Sequence, residues 1–375
     1  MRAPEPVRVR FAVATLYYTK GVSCSFMKAA VFREYSQDPL QVVKIEDIDV
    51  PKLRADEVMI RVEAASYNYN DLWAIWGQPS KVPMPHISGS DAAGVITEVG
   101  QDVEKLKTGD RVVSHSNVSC RVCAMCTSGR EFDCLERKIW GFETGPLWGG
   151  FSQLTHLPQV NVVKLQDNLS FNDAAAVSMA GMTAWHALVG RARIHAGMSV
   201  LVMGGRSGVG TMAIQIAKLF GCDVITTVGN DDQQERCRAL GADYVVNHRK
   251  EDWSKRVREY TQKKGVDVVF EHIGKTHFPQ EVMLLKMGGT LVTSGATTGY
   301  DSQIDLRFLF FKGTNLLGAT QGTASEAQEL FQWVSRGRIK AVIDSVLPFS
   351  SMVEGHVMMI KGQQFGKLLT TPQNL

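Results

Sequence analysis

Four of the seven cysteines in this 375-residue chain fall within a stretch of fifteen residues, as Cys120, Cys123, Cys126 and Cys134. The spacing C-x2-C-x2-C-x7-C can wrap four thiolates around one tetrahedral Zn²⁺. Such a site has no open coordination position, so we expect one structural zinc that stabilises a lobe. An iron–sulfur cluster is the alternative, because four thiolates also hold [4Fe–4S]. Clustered cysteines in a chain large enough to bury its own core indicate a reducing compartment, and we expect a cytoplasmic protein.

A second candidate site is a glycine-rich loop that closes one apolar run and precedes another. Gly205, Gly208 and Gly210 give the spacing G-x-x-G-x-G, which differs from the usual G-x-G-x-x-G of dinucleotide loops. Glycines let the backbone approach a pyrophosphate, and a helix that begins here offers free N–H groups and a positive dipole end. The predicted cofactor-binding residues of this loop are Gly204, Gly205, Arg206, Ser207, Gly208, Val209 and Gly210. The alternative is a tight turn that binds nothing.

The end of the next predicted strand indicates which dinucleotide fits. Asn230 stands where an NAD enzyme needs a carboxylate to accept from the ribose 2′-hydroxyl. Arg206, His248 and Arg249 supply positive charge for a 2′-phosphate. We therefore predict NADPH as the cofactor, with Asn230, His248 and Arg249 among its contacts. The alternative is NADH, held by Asp231 curling back to the ribose.

Composition and charge exclude several classes of protein. The chain is 44% hydrophobic and 21% charged, which is typical of globular proteins of about two domains at this length. Residues 1–26 hold four basic residues and one acidic residue, so the remainder carries 37 of each and is neutral. A neutral body argues against nucleic acid as a partner. The chain has no run of about 18 apolar residues, which argues against a membrane-spanning helix. We interpret residues 1–26 as an extension: a disordered tail, an over-long start or a transit peptide.

The pattern of apolar residues changes along the chain. Short alternating runs separated by glycine turns over residues 27–165 predict a β-rich, barrel-like domain. From a predicted helix at 173–188 onward, apolar strands alternate with helices, which is typical of a doubly wound parallel sheet. After residue 322, the pattern predicts a helix at 325–335, a strand at 342–348, a second helix and a last strand near 367–369. The predicted fold class is α/β.

Several motifs together resemble the medium-chain dehydrogenase/reductase superfamily, over residues 27–375. The matching segments are Met27–Val31, Gly94-x5-Gly100, Gly109–Val112, the four-cysteine lobe and Gly241–Asp243. The resemblance implies a GroES-like catalytic domain split around a Rossmann dinucleotide-binding domain. We therefore expect the catalytic domain at 27–176 with a zinc lobe at 116–140, the Rossmann domain at 177–321, and a return to the catalytic domain over 322–375.

Zinc alcohol dehydrogenases of this superfamily bind a second, catalytic zinc, and the sequence departs from them at its ligands. The positions of the two cysteines and the histidine carry Asn68, Ser90 and Met179. An amide, a hydroxyl and a thioether cannot replace two thiolates and an imidazole on this cation. We infer that no catalytic zinc binds, so hydride exchange with an alcohol is poorly supported.

Other segments are similar to the acryloyl-CoA reductase and crotonyl-CoA carboxylase/reductase branch. They are Asn68–Ala74, Gly77–Pro79, Ile87–Gly94, Ile139–Thr144, Val269–Gly274 and Phe278–Pro279. This resemblance implies NADPH-dependent reduction of the C=C bond of a short α,β-unsaturated acyl-CoA. The histidine that the carboxylating enzymes carry near the end of the Rossmann domain is replaced here, where the chain reads Gly318-Ala319-Thr320-Gln321. That replacement favours simple reduction over CO₂ fixation.

The resemblance also implies roles for individual residues. We expect Asn68 or Asn70 to donate to the substrate, and Glu143 to position a water or deliver a proton. Thr183 is expected beside the nicotinamide, and Gly274 among the cofactor-binding residues. The structural alternative is that Asn70 and Asp71 cap a helix, and that Trp73 and Trp76 belong to the core.

The partner expected is a small molecule, an acyl-CoA thioester, and the family implies a homodimer or homotetramer. Three rival functions stay open: a quinone or 2-haloacrylate-type reductase, a zinc-type alcohol dehydrogenase, and a non-catalytic NADPH-binding protein. The third is kept because dehydrogenase folds are reused without catalysis.

Overall fold

The structure, a computed structural model, describes residues 26–373. Within this range the strands form a six-stranded sheet, a seven-stranded sheet and two two-stranded sheets. The predicted extension over residues 1–26 lies outside the described residues, apart from Phe26, which begins the first strand. None of the helices in residues 26–373 is long and apolar enough to cross a bilayer.

The first part of the chain is β-rich. Its strands and helices are β1 Phe26–Val31, α1 Pro39–Val42, β2 Lys44–Asp49, β3 Glu57–Ser66, α2 Tyr69–Trp76, β4 Asp91–Val99, β5 Arg111–Ser114, β6 Asn117–Val118, α3 Ala124–Thr127, β7 Lys138–Ile139, β8 Leu154–Pro158 and β9 Val162–Lys164. β3 is the central strand, because it pairs antiparallel with both β4 and β8. Its register against β4 shifts twice, and such bulges bend and twist a sheet towards closure.

The second part alternates helices and parallel strands. Its elements are α4 Phe171–Trp185, β10 Ser199–Val202, α5 Gly208–Leu219, β11 Asp223–Val228, α6 Asp232–Ala239, β12 Tyr244–Asn247, α7 Trp253–Tyr260, β13 Val266–Glu271, α8 Phe278–Leu284, β14 Leu285–Thr293, α9 Leu306–Lys312 and β15 Asn315–Gly318. The sheet order is β12-β11-β10-β13-β14-β15, and every pairing is parallel. The chain reverses direction across the sheet between β10 and β13, and ligands bind in the crevice at the carboxyl ends of strands flanking such a point.

The last part of the chain returns to the first sheet. It comprises α10 Ala324–Ser335, β16 Ile343–Pro348, α11 Met352–Lys361 and β17 Lys367–Thr371. β17 pairs antiparallel with β3, where Leu369 lies opposite Ser66. This pairing brings residues about 300 positions apart in the sequence to the same edge of the crevice. The domain boundaries at 176/177 and 321/322 stay predictions.

The predicted α/β fold class, a GroES-like domain plus a parallel Rossmann sheet, is confirmed. The structure differs from the predicted elements at two places. α4 ends at Trp185 and continues as a π-helical turn over His186–Arg191, where the sequence predicts one helix to residue 188. The sequence pattern does not predict α9 and β15. In α9, Leu306, Phe310 and Phe311 are exposed and only Phe308 and Leu309 are partly buried, so the helix has no fully buried stripe. The periodicity that identifies a helix packed on a core is therefore missing there.

Candidate functional site

A cleft of about 530 Å³ lies between the seven-stranded sheet and the carboxyl ends of β14 and β15. One wall is formed by α2 and the loop after β7, which contribute Asn68, Asn70, Trp73 and Phe142. The opposite wall consists of backbone and small side chains, chiefly residues 293–297 and 318–321. A second cavity of about 410 Å³, lined by the start of α5 and by α11, shares Asn68, Tyr69, Val209, His272 and Thr297 with the first. The two cavities form one elongated binding region.

The glycine loop lies at the second cavity, and its binding of a dinucleotide stays a prediction. Ser207 caps α5, and its Oγ accepts from Gly210 N at 2.9 Å. Arg206, Ser207, Gly208 and Val209 line the cavity. At positions 205 and 210, close packing of the surrounding atoms requires glycine. A Cβ on Gly205 would lie 2.3 Å from Thr226 Oγ1, and one on Gly210 would lie 2.3 Å from Gly204 O. The loop thus brings backbone N–H groups and a helix N-terminus to one face, the geometry that binds a pyrophosphate.

Basic side chains lie close together at the end of β11, near the glycine loop. A Cβ on Gly229 would lie 3.3 Å from Arg249 Nε and 3.6 Å from His248 Nε2. Arg249 Nη1 donates to Asn230 Oδ1 at 3.4 Å. Arg206 Nη1 donates to Gln364 O at 2.7 Å. Burial lowers the pKa of Arg206, and the nearby charge of Arg249 lowers it further.

Asp231, the alternative ribose ligand, is held elsewhere. Its Oδ1 accepts from Asn247 Nδ2 at 2.6 Å and from Gln234 Nε2 at 3.1 Å, and its Oδ2 pairs with Lys250. These bonds hold the pKa of the Asp231 carboxyl below its usual range. Asp231 is therefore engaged by its own neighbours rather than turned back towards the ribose position.

Thr183 and Gly274 have different surroundings. Thr183 lines the first cleft, where its Oγ1 donates to Met179 O at 2.8 Å and accepts from Gln321 Nε2 at 3.5 Å. Gly274 lies in the turn after β13 at φ +92°, where a Cβ would lie 2.5 Å from Gly299 O. Among residues 26–373, its neighbour His272 lines both cavities, whereas Gly274 lines neither.

Sequence reasoning missed His272, which had a usable signal. It follows β13 directly, at the crossover point of the sheet, so its position alone predicts proximity to a bound ligand. Its Nε2 lies 2.9 Å from Met203 O, and a carbonyl oxygen accepts, so this nitrogen carries the proton. Burial lowers the pKa of His272 and favours the neutral imidazole.

The candidate substrate donors lie at the start of α2. Asn68 lines both cavities, and its side chain bridges Lys367 Nζ at 2.6 Å and Asp91 Oδ2 at 2.7 Å. Asn70 Nδ2 donates to Ser90 Oγ at 2.8 Å, while Asn70 Oδ1 is buried without a partner among residues 26–373. Both amides therefore face the cleft.

Asp71 has the capping role that the sequence left open. Its carboxylate accepts from Asn68 N at 2.7 Å and from Gly89 N at 3.0 Å. Burial raises the pKa of this carboxyl to about 7, against the opposing effect of these two N–H groups. Asp71 thus ties the start of α2 to the Gly89 turn.

The aromatic residues of α2 divide between cleft and packing. Trp73 lines the cleft, with its ring centroid 5.6 Å from that of Tyr69 and 6.5 Å from that of Phe142. Trp76 packs edge-on against Tyr69 at 5.9 Å. The cleft next to Asn68 and Asn70 is therefore walled by aromatic rings, which suits an apolar substrate segment.

Glu143 lies just behind the cleft wall. Its Oε2 accepts from Ile139 N at 2.7 Å and closes the loop that carries Phe142. In the described part of the chain the cleft is lined by Ile139 and Phe142, with Glu143 outside the lining. The structure thus shows a loop-stabilising contact for Glu143, and its role in proton delivery stays a prediction.

The three positions that would hold a catalytic zinc meet around Asp91. Asn68 donates to its Oδ2, Met179 N donates to its Oδ1 at 2.7 Å, and Ser90 precedes it in the chain. Among residues 26–373, the four-cysteine cluster is the one group of three or more His, Cys, Asp or Glu side chains close enough to share a metal ion. The groups around Asp91 are therefore hydrogen-bond donors to its carboxylate.

The four cysteines come together as predicted. Their sulfur atoms all lie within 4.8 Å of one another, with Cys120 Sγ 3.9 Å from Cys126 Sγ and 3.6 Å from Cys134 Sγ. A tetrahedral zinc with Zn–S bonds of about 2.3 Å needs sulfur atoms roughly 3.8 Å apart. Cys120 Sγ also accepts from Cys123 N at 3.4 Å, a bond that favours the thiolate. The cluster therefore fits one zinc with four protein ligands.

Comparisons with known sequences agree with this architecture. Residues 54–167 match the family model of the alcohol dehydrogenase GroES-like domain, and residues 208–336 match that of zinc-binding dehydrogenases. A crotonyl-CoA carboxylase/reductase of Cereibacter sphaeroides is 30% identical over 365 residues, which cover 89% of this chain and 84% of the relative. A human quinone oxidoreductase is also 30% identical, over 86% of this chain and 91% of the relative.

Solved structures show the same fold. An NAD-dependent alcohol dehydrogenase superposes with a TM-score of 0.87 at 36% identity, over 92% of this chain and 99% of that chain. The 2-octenoyl-CoA carboxylase reductase CinF, in complex with NADP and 2-octenoyl-CoA, gives a TM-score of 0.86 at 25% identity, over 92% and 88%.

The chain belongs to the medium-chain dehydrogenase/reductase superfamily, as the motifs suggested. It is an oxidoreductase of that superfamily with an NAD(P)-binding Rossmann domain. The relatives divide among crotonyl-CoA reductases, alcohol dehydrogenases and quinone oxidoreductases, so the site itself must decide between substrates.

We predict that purified protein carries about one zinc ion per chain, because the four thiolates saturate one tetrahedral ion. Cys123→Ser removes one of these ligands, so zinc is lost and the midpoint of thermal unfolding falls by on the order of 10 °C. Elemental analysis and thermal denaturation measure the two effects.

Cys222→Ser is the matched control, because Cys222 is buried far from the cluster and its thiol donates to His195 O. This variant should keep its zinc. If the wild-type protein instead contains iron and shows a visible charge-transfer band, the site holds an iron–sulfur cluster and the zinc assignment is wrong.

Proposed function

We propose that this protein uses NADPH to reduce the C=C bond of a short α,β-unsaturated acyl-CoA, of the acryloyl-CoA or crotonyl-CoA type, without a catalytic zinc. The observation that carries the proposal is the hydrogen bonding at Asn68, Ser90 and Met179. Asn68 Nδ2 and the backbone N–H of Met179 donate to Asp91, and Ser90 Oγ accepts from Asn70 Nδ2. Asn68 and the neighbouring Asn70 supply side-chain amides beside an aromatic-walled cleft, in place of ligands for a Lewis acid.

The chemistry requires a donor for developing negative charge. When bound, NADPH supplies a hydride. Its addition to Cβ forms a C–H bond and moves the C=C electron pair onto the thioester oxygen as an enolate. A proton then reaches Cα, and the acyl chain is reduced while the dinucleotide is oxidised. An N–H aimed at the oxygen stabilises the charge that develops there. Asn68 and Asn70 are the side-chain amides that line the cleft at this end.

NADPH rather than NADH is favoured by charge at the end of β11. Arg249 and His248 lie beside Gly229 at the end of β11, Arg206 lines the second cavity, and the carboxylate of Asp231 is paired with Lys250 and Asn247. A 2′-phosphate dianion complements the guanidinium groups of Arg206 and Arg249, whose acceptors within the protein are the neutral oxygens of Gln364 and Asn230. The NADP in the solved complex of the related CinF is consistent with this preference.

A quinone or 2-haloacrylate-type reductase is the second candidate, because it uses the same hydride step and a human quinone oxidoreductase is a relative. The large polar extension of a CoA thioester separates the two functions, since binding it lowers the concentration at which the substrate saturates. The alcohol dehydrogenase alternative requires a cation at Asp91, where the side chains offer no thiolate or imidazole. A non-catalytic protein would bind NADPH and reduce none of the electrophiles.

We predict that NADPH oxidation occurs with acryloyl-CoA or crotonyl-CoA and saturates at a lower concentration than with a benzoquinone. Asn68→Ala and Glu143→Ala should each lower kcat/KM for the thioester, by on the order of a hundredfold for Asn68→Ala because an oxyanion donor is lost. Steady-state absorbance of NADPH measures both.

Asn168→Ala is the matched control, since the exposed Asn168 side chain donates to Ser335 O away from the cleft. Wild-type turnover in both cleft variants would remove these residues from the reaction. Robust oxidation of a primary alcohol, or activity with a quinone and none with either thioester, would overturn the proposed function.

Arg249→Ala tests the cofactor preference. We predict that it raises the Kd of NADPH on the order of tenfold or more, since one charge-assisted phosphate contact is lost. The Kd of NADH should change little, so NADH serves as the matched ligand. Fluorescence titration gives both constants. Equal weakening of the two cofactors, or a wild-type protein that prefers NADH, would contradict the 2′-phosphate assignment.

We also propose that the protein is a homodimer built on the outer edge of β15. β15 is the last strand of its sheet in the described chain, and two aromatic side chains of the adjacent α9 are largely exposed, Phe310 at 66% and Phe311 at 69%. An unpaired strand edge beside an apolar surface favours pairing with a second copy about a two-fold axis.

The double substitution Phe310→Glu and Phe311→Glu should halve the molar mass measured by light scattering, because it places charge in the interface. Leu40→Glu, an exposed apolar position on α1, is the control and should keep the wild-type mass. A wild-type tetramer reduced to dimers would support the same surface. A monomeric wild type, or an unchanged mass in the double variant, would refute it.

A further inference from the structure

Lys367 is a buried cation for which the reaction above has no stated use. It begins β17 and is 5% exposed. Its Nζ donates to Tyr67 O at 2.6 Å and to Asn68 Oδ1 at 2.6 Å, and it lies 3.4 Å from Asp91 Oδ2. All three ammonium hydrogens therefore have acceptors, and none of these acceptors is water.

The charge of Lys367 is balanced within the protein. Asp91 and Asp71 are both fully buried next to it. Burial lowers the pKa of Lys367, and the two carboxylates oppose this effect. A buried cation is retained at such cost when it is paired and hydrogen-bonded. The pairing also affects the site, because one acceptor of the ammonium is the side chain of Asn68, which faces the cleft.

The contacts of Asn68 define the orientation of its amide. An ammonium can only donate, so the atom 2.6 Å from Lys367 is the amide oxygen. A carboxylate accepts, so the atom 2.7 Å from Asp91 Oδ2 is the amide nitrogen. The nitrogen has a second N–H, for which residues 26–373 provide no acceptor, and Asn68 lines the cleft.

The two contacts also polarise the amide. A cation on the carbonyl oxygen draws electron density from the nitrogen and makes its N–H groups stronger donors, an effect that grows where water is excluded. An amide held at both ends also loses little freedom when it binds a substrate. Asp91 is held in turn by Ser66 Oγ at 2.6 Å and Met179 N at 2.7 Å, so the acceptor side of the arrangement is rigid.

We propose that Lys367 is a positioning residue for catalysis: together with Asp91 it holds the Asn68 amide with its second N–H directed at the thioester oxygen and strengthens that donor as the enolate forms. This inference rests on the proposed function for the identity of the oxygen. In this role Lys367 acts through Asn68, and its side chain also lines the second cavity beside Gly208 of the glycine loop.

A kinetic double-mutant cycle tests the proposal. Lys367→Met should lower kcat with the acyl-CoA on the order of tenfold to a hundredfold, with KM for the thioester and Kd for NADPH changed by less than about threefold. In the Asn68→Ala background the same substitution should lower kcat by less than about twofold, because the side chain through which it acts is gone. Lys164→Met is the matched control, since Lys164 also pairs with a buried aspartate, Asp110, but lies away from the cleft.

Three outcomes would overturn the inference. Losses in kcat that multiply in the double variant would show that the two residues act independently. A weaker NADPH Kd with unchanged kcat would make Lys367 a ligand of the dinucleotide. A wild-type kcat in Lys367→Met would deny any role in turnover.

Two further measurements distinguish the role of Lys367 from a folding defect and from a wrong choice of substrate. Should Lys367→Met fail to fold, the double variant Lys367→Met and Asp91→Asn keeps the net buried charge, and the inference predicts that its kcat falls to the level of Asn68→Ala. Should the wild-type enzyme reduce a quinone and neither thioester, the proposed function fails. The same cycle, run with the quinone, then decides whether Lys367 works through Asn68.

Discussion

The carboxylate of Asp91 is the contact on which the arrangement of the cleft depends. It is fully buried and joins β3, α2, α4 and β17 through Ser66, Asn68, Met179 and Lys367. An ionised carboxylate offers about four acceptor sites, and these donors use them. Asp91 therefore ties together four elements at one buried polar point, where an unmet hydrogen bond would be costly.

The contacts of Asp91 show what this dehydrogenase fold presents at the cleft: groups that form hydrogen bonds, at the three positions where zinc alcohol dehydrogenases bind their catalytic metal. The three segments that converge on Asp91 bring an amide, a hydroxyl and a thioether to one place. The amide and the hydroxyl can donate to a carbonyl oxygen, whereas none of the three side chains is a good ligand for zinc. Because Asn68 and Val209 border both cavities, the Asn68 amide lies in the same elongated cleft as the glycine loop.

The four-cysteine lobe makes a separate contribution. It carries little regular structure, a four-residue helix and a two-stranded ribbon, so it has little core of its own. Metal ligation is the ordinary way to hold so small a unit. Arg121 and Glu131 pair within the lobe, and Phe132 packs 4.4 Å from His186 of the π-helical turn. Ile139 of β7 is the residue by which the lobe contributes to the lining of the cleft in the described part of the chain.

The sequence by itself determined whatever depends on neighbours along the chain. Local patterns were enough where a few neighbouring residues set the geometry. Examples are the spacing of Cys120 to Cys134, the glycines of the nucleotide loop, the α/β alternation and the replacement of the zinc ligands. The tertiary structure decided which side chains meet. Lys367 reaches Asn68 across some 300 residues because β17 pairs with β3, and no periodicity records that pairing. It likewise showed Glu143 bound to its own loop and α9 exposing its aromatic rings, since burial and hydrogen-bond partners are properties of the packed chain.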